Sequence, residues 1–250
     1  MTGTMRLTLP LLVVAAAGPT RAQTPLPTGK QVFDRYVETI GGRDAIAKQT
    51  ARWIWGRFDI PSQGIKGPIQ IAAAAPDRLY THVEIPGIGT STSGFDGETG
   101  WAMNPAMGPM LMDGMALNQL RQQADFHSAL HPERYVAAMD VVAEVDFDGR
   151  GCYQVKVRTT WGEEYTEYFD RTSGLLVGAV RKQSTPMGEL EATTTVDDYQ
   201  LYGGVKVPRS IRLKTMGIEQ VIQVDSVSVA PIPDSVFALP AAIRALKKPT

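Results

Sequence analysis

Cysteine is almost missing from this chain: Cys152 stands alone among 250 residues, so no intramolecular disulfide can brace the fold. In "GCYQVKV" it reads as a small buried hydrophobe. Charge excess is missing too, with 25 Lys and Arg against 26 Asp and Glu. Without a basic surplus to neutralise phosphates, nucleic acid is excluded as a partner. Long apolar runs are lacking. The one near the start, "LTLPLLVVAAAG", has about 12 residues, short of the roughly 20 that span a bilayer as a helix. Histidine occurs three times. His127 and His131 are four apart, but the Glu of H-E-x-x-H is lacking and Pro132 follows, so no metal site is expected. No G-x-S-x-G elbow is present, and Cys152 has no base beside it in sequence. Glu163-Glu164 and Asp197-Asp198 alternate with apolar residues and are expected to face solvent. Neither catalysis nor a cofactor is implied.

The start of the chain carries a positive signal. "MTGTMR" supplies a basic n-region, the apolar run an h-region, and Thr20-Arg21-Ala22 small residues at −3 and −1. Residues 1–22 are predicted to be a secretory signal peptide cut after Ala22. Removing Arg6 and Arg21 leaves 23 basic against 26 acidic residues in an exported mature chain. Residues 23–29 read as a linker and 30–250 as a single domain.

Periodicity then divides the domain. Thr28 is an N-cap for "GKQVFDRYVETI", where Val32, Phe33, Tyr36, Val37 and Ile40 share a helical stripe that Gly41-Gly42 ends. From Arg52 the period becomes two, through "RWIWGRFDI", "GPIQIAAAA", "RLYTHVEI" and "GTSTSGF". A second helical region is predicted over about 111–139, divided by Pro132. Seven further strand-length runs follow Asp140 at the spacing of an antiparallel meander. The expected fold is mainly β with α: a curved antiparallel sheet of about 11 strands, an N-terminal helix, and a helical insertion as lid over the concave face.

"SGFDGETGW", residues 93–101, suggests three chemistries. A phosphate loop leads into a helix, often with a Lys, and neither follows. A calcium loop continues its alternating acids to a distal Glu, and Gly100 breaks that series; "DFDG" at 146–149 fails likewise. A tight hairpin burying Phe95 and Trp101 remains. Methionine is concentrated in "MNPAMGPMLMDGM", with Met103, Met107, Met110, Met112 and Met115 within thirteen residues. Flexible thioethers suit a lid over an apolar ligand, soft-metal capture of Cu(I), or simple gap filling over a core, and the pattern leaves all three open.

"FDRYVETIGGRDAI", "FDGETGW" and "YFDRTSGLLVG…DDYQLYGGVKVPRSIRL…IPDSVFALP" together resemble the outer-membrane lipoprotein-sorting family, the LolA/LolB-like superfamily, from about Gln31 to Pro240. The resemblance implies an unclosed antiparallel β-barrel around an apolar cavity capped by helices. It further implies a periplasmic carrier of a lipid, acyl chain or acylated protein, working with inner- or outer-membrane protein partners. The lipoprotein chaperones of that family have an important Arg shortly after a Pro in an early strand. In "APDRLYTH" Tyr80 takes that place, with Arg78 two residues earlier on the same side of a strand. The expected ligand lining is Trp53, Trp55, Phe58 and Ile60 on the first strand, Leu79 and Tyr80, then Met103, Met107, Met110, Leu111, Met112, Met115 and Leu117. Alternatives from other classes are an interaction subunit of an envelope complex with a filled cavity, and a Met-rich Cu(I) binder.

Overall fold

The computed structural model describes residues 25–185 and 188–247; the predicted signal peptide lies outside them. Two helices open the domain, α1 (Gly29–Thr39) and α2 (Gly42–Lys48). Thr28 caps α1 reciprocally: its Oγ1 accepts from the Gln31 N–H at 3.2 Å, and its own N–H donates to Gln31 Oε1 at 2.8 Å. Six strands follow: β1 (Ala51–Ile60), β2 (Ile65–Ala74), β3 (Arg78–Ile85), β4 (Gly89–Phe95), β5 (Gly100–Asn104) and β6 (Gly108–Leu111). Helix α3 (Gly114–Ala124) and two 3-10 turns lead into seven more. These are β7 (Val136–Phe147), β8 (Arg150–Thr159), β9 (Glu164–Asp170), β10 (Leu176–Thr185), β11 (Gly188–Tyr202), β12 (Val205–Thr215) and β13 (Ile218–Ser228). A short helix α4 (Ala241–Arg244) lies near the end.

All thirteen strands form one sheet, in the order β6-β5-β4-β3-β2-β1-β13-β12-β11-β10-β9-β8-β7. Each neighbouring pair is antiparallel, and only β1–β13 joins strands distant in sequence. The two edges, β6 and β7, are consecutive along the chain. The sheet is therefore an up-and-down barrel cut between β6 and β7, with residues 112–135 crossing the cut. Both edges resist pairing: β6 has four residues and carries Pro109, and β7 is bulged at two places.

The expectation of about 11 strands is corrected to thirteen. The two extra strands, β5 and β6, are short and lie in the Gly-, Pro- and Met-rich stretch whose alternation is hard to see. The predicted helical region 111–139 shrinks to α3 and two turns. Leu111 belongs to β6, while Val136 to Met139 already pair with β8 although "AAM" suits a helix equally well.

Register places alternate residues on two faces. The concave face carries α1, α2 and α3. Val32 of α1 packs with Val155, Val157, Tyr165 and Phe169, while Leu120 and Ala124 of α3 pack with Phe95. On the convex face, residues 230–246 lie over the sheet from β1 across to β6: Ile232 and Phe237 cover Ala51, Ala72 and Ala74, and α4 reaches β6. The run "AAAA" thus offers small side chains to a segment packed directly on the strand.

Candidate functional site

The helices are tied to one end of the barrel. Ile40 O accepts from the Lys206 N–H at 2.7 Å, Arg35 donates to the carbonyls of Arg171 and Thr172, and Gln49 Nε2 donates to those of Tyr202 and Gly203. Phe126 N–H donates to Pro76 O. The barrel-side partners, Lys206, Arg171, Thr172, Tyr202, Gly203 and Pro76, sit in or next to the β2–β3, β9–β10 and β11–β12 turns. The helices plug that end, and the concave face toward the other end keeps an aliphatic surface on β12, β13, β1, β2 and β3. There Ile211, Ile222, Phe58, Ile71 and Val83 remain half-buried, with no helix packed on them. They form a trough, blocked below and open above.

Two acids anchor the segment that spans the cut. Asp125 is buried; it accepts from Arg134 Nη1 at 3.1 Å, Tyr135 OH at 3.0 Å and the His127 N–H at 3.0 Å. Burial, then the bond to Asp125, pushes the Tyr135 hydroxyl up to about 12. Glu163 is also buried, correcting the expectation that it faces solvent. Its carboxylate accepts from Gln119 Nε2 of α3 at 2.8 Å and Trp161 Nε1 at 3.2 Å. Its partner in that pair of acids, Glu164, is exposed. His127 meets the Gln49 carbonyl at 2.9 Å and His131 meets Glu133, so each is engaged locally. Among the described residues no group of three or more His, Cys, Asp or Glu is placed to hold a metal. Cys152 is buried, and its thiol is held above its ordinary range by burial.

Below the trough lies a polar floor. Tyr36, Gln122, Tyr165 and Glu167 line a cavity of 180 Å³ together with Phe33, Met139 and Leu176. Burial pushes the hydroxyls of Tyr36 and Tyr165 up to about 12, with the nearby Glu167 carboxylate adding to both. Burial raises Glu167 itself above the usual carboxylate range, and Arg181 opposes that rise.

The predicted lining is divided by register between the faces. Phe58, Ile60, Leu79, Met110 and Met112 point to the concave side. Trp53, Trp55, Tyr80, Met103 and Leu111 point to the convex side, where Trp53 and Trp55 stack at 5.4 Å and Tyr80 lies 6.2 Å from Trp101. Arg78 shares the convex side, over the Phe237 ring and paired with Asp234. Of the rest, Leu117 packs on Phe95, Met115 lies on α3, and Met107 tops an exposed turn. The Met-rich stretch is an edge hairpin leading into a helix, with its sulfurs spread over two faces. Sequence reasoning omitted Ile71, Val83, Ile211 and Ile222; their signal was the alternation of apolar, mostly β-branched residues along their strands.

"SGFDGETGW" is the predicted hairpin. Asp96 Oδ1 accepts from the N–H groups of Glu98 and Thr99 at 3.0 and 2.7 Å, closing the turn. Phe95 and Trp101 are both buried, on opposite faces.

This architecture has solved counterparts. The crystal structure of LolA superfamily protein NE2245 from Nitrosomonas europaea matches with a TM-score of 0.56 at 12% identity, over 86% of this chain and 99% of that one. The chain has a LolA-like fold. A DUF1329 family protein from Desulfovibrio piger matches with a TM-score of 0.57 at 11% identity, over 84% of this chain and 97% of that one. No family model and no curated protein matches the sequence. Likeness at such identity is a likeness of architecture alone. Among the described residues, no helix is long and apolar enough to cross a membrane.

Proposed function

We propose that the mature protein is a periplasmic carrier that holds an acyl chain or other lipid in the concave trough, without chemistry of its own. The observation that carries this reading is the row Phe58, Ile71, Val83, Ile211 and Ile222. These are apolar residues on the barrel interior that the helices leave half-covered. An interior of this kind gains about 0.8 kcal/mol for each methylene it removes from water. A ten-methylene chain then gains about 8 kcal/mol gross, reduced by the cost of association. The signal-peptide pattern and the LolA-like fold support export to a periplasm.

The polar floor gives the trough a direction. Methylenes lie toward the open end, and a polar terminus reaches the hydroxyls of Tyr36 and Tyr165. The experiment is uptake of a soluble fluorescent fatty acid by delipidated protein. Saturable uptake is expected, reduced at least tenfold by Ile222→Asp and also by the bulkier, still apolar Ile222→Trp. Wild-type protein that takes up nothing overturns the reading. A stoichiometric protein partner co-purifying with such protein would favour the interaction-subunit alternative.

A further inference from the structure

The geometry points to a membrane-docking rim: the uncharged hairpin tips at the open end of the barrel insert their aliphatic side chains into a lipid bilayer surface. Four hairpins adjacent in the sheet, β12–β13, β1–β2, β3–β4 and β5–β6, turn at this end. Their turn residues are Met216-Gly217, Pro61-Ser62-Gln63-Gly64, Pro86-Gly87-Ile88 and Pro105-Ala106-Met107, without one charge among them. Met216, Ile88 and Met107 are 67%, 54% and 53% exposed. The opposite end differs: its turns contain Asp77, Asp96, Glu98, Asp148 and Arg171.

Register brings the four tips level. Val224, Gly56, Ile69 and Val83 lie on one line of pairing across β13, β1, β2 and β3. From that line the strands run toward the rim for six residues to Ile218, four to Ile60 and two to Ile85, while Asn104 of β5 is already at the line. The offset is about one residue per strand, or a tilt of about 35° from the rise and strand spacing, as barrel strands have. In a sheet so tilted, the stagger cancels and the tips reach similar height along the barrel axis.

Backbone geometry at one tip argues that the apolar side chain is retained for use. Met216 has φ 52° and Gly217 φ 79°, the conformation of a hairpin turn that favours Asn-Gly. A methionine there is disfavoured, and its exposure shows that it packs against nothing that would compensate. The choice of a bilayer over a protein partner follows from composition. The four tips have no Trp, Tyr or Arg, the residues that anchor protein interfaces; Trp161, in the β8–β9 turn at the same end, is half-buried and donates to Glu163. Behind the tips the charges are mixed, Lys66 and Lys214 with Glu84 and Glu219, so attraction does not depend on lipid charge. The rim is also continuous with the trough, since Ile60 and Ile85 extend the concave rows of Phe58 and Val83. A docked rim would open the trough onto the hydrocarbon. Docking itself needs no ligand, and the direction of traffic alone rests on the carrier reading.

The test is flotation with vesicles of phosphatidylcholine, alone or mixed with phosphatidylglycerol, at low and high salt. Wild-type protein is expected to float with both, insensitive to salt, and the triple variant Ile88→Asp, Met107→Asp, Met216→Asn to lose at least tenfold in partitioning. A dye on Met107→Cys, in a Cys152→Ser background, is expected to shift to the blue with vesicles. Met216→Asn alone is expected to raise thermal stability while weakening flotation, which separates the rim from any effect on folding. Uptake of soluble fatty acid by the triple variant should match wild type, so this inference and the carrier reading fail separately. Absence of flotation, flotation abolished by salt, flotation unchanged in the triple variant, or a dye shift produced by a protein partner in place of vesicles overturns the proposal.

Discussion

Glu167 and Arg181 stand 3.9 Å apart on neighbouring strands, and the guanidinium carbon of Arg181 lies 3.5 Å from the centre of the Tyr165 ring. The carboxylate is 15% exposed and meets its cation at the outer limit of an ion pair, so burial dominates and holds its pKa high. A carboxyl whose folded pKa is raised stabilises the fold fully below its unfolded pKa, near 4.5, and loses that contribution as pH climbs through the folded value. Glu167→Gln is therefore expected to raise the melting temperature at neutral pH, with the gain vanishing at and below about pH 4. Thermal melts of both proteins across that range check it.

The same sign holds for the buried phenols. Tyr36 and Tyr165 are pushed up to about 12 from 10.0, so their contribution is intact below pH 10 and is lost as pH rises toward 12. A double Tyr→Phe variant at these positions is expected to unfold at a higher pH than wild type in an alkaline titration followed by circular dichroism.

Asp125 holds the crossing segment through three hydrogen bonds. Asp125→Ala leaves Arg134 and the Tyr135 hydroxyl without their acceptor, at a cost of about 3 kcal/mol. Urea denaturation measures that loss, and hydrogen exchange should rise first in residues 112–135.

Gly94 has no room for a side chain. A Cβ there would lie 2.7 Å from Leu79 O and 3.0 Å from the Trp101 ring. Gly94→Ala is expected to cost about 1–3 kcal/mol as Trp101 is forced from its site. A reduced near-ultraviolet circular dichroism signal, with far-ultraviolet signal retained, would report the displacement.

How much of this was legible in the sequence differs by region. The late strands could be read because apolar residues alternate along them between turn residues, and Thr28 marks the start of α1. β5 and β6 could not, since Pro105, Gly108 and Pro109 interrupt any period. For the site, composition identified an oily lining but not its face. On β1, both Trp53 and Phe58 are large and apolar, and which of them looks inward is decided by pairing partners far along the chain. Residues 230–246 decided it: by covering the convex face they give Trp53 and Tyr80 a second apolar environment, which no local pattern announces. Glu163 was misread for the same reason, since its partner Gln119 lies 44 residues away.

The cut between β6 and β7 sets the bore of this barrel. In a closed barrel, strand number and stagger fix the circumference, and a wider occupant must break a ladder of hydrogen bonds. Here no ladder crosses the last gap; a helix and two turns span it, held by side chains such as Gln119 and Arg134. Spreading the two edges slides those contacts while every strand keeps its partners. The girth can therefore change with the separation of those two edges, as a split ring takes rods of more than one gauge.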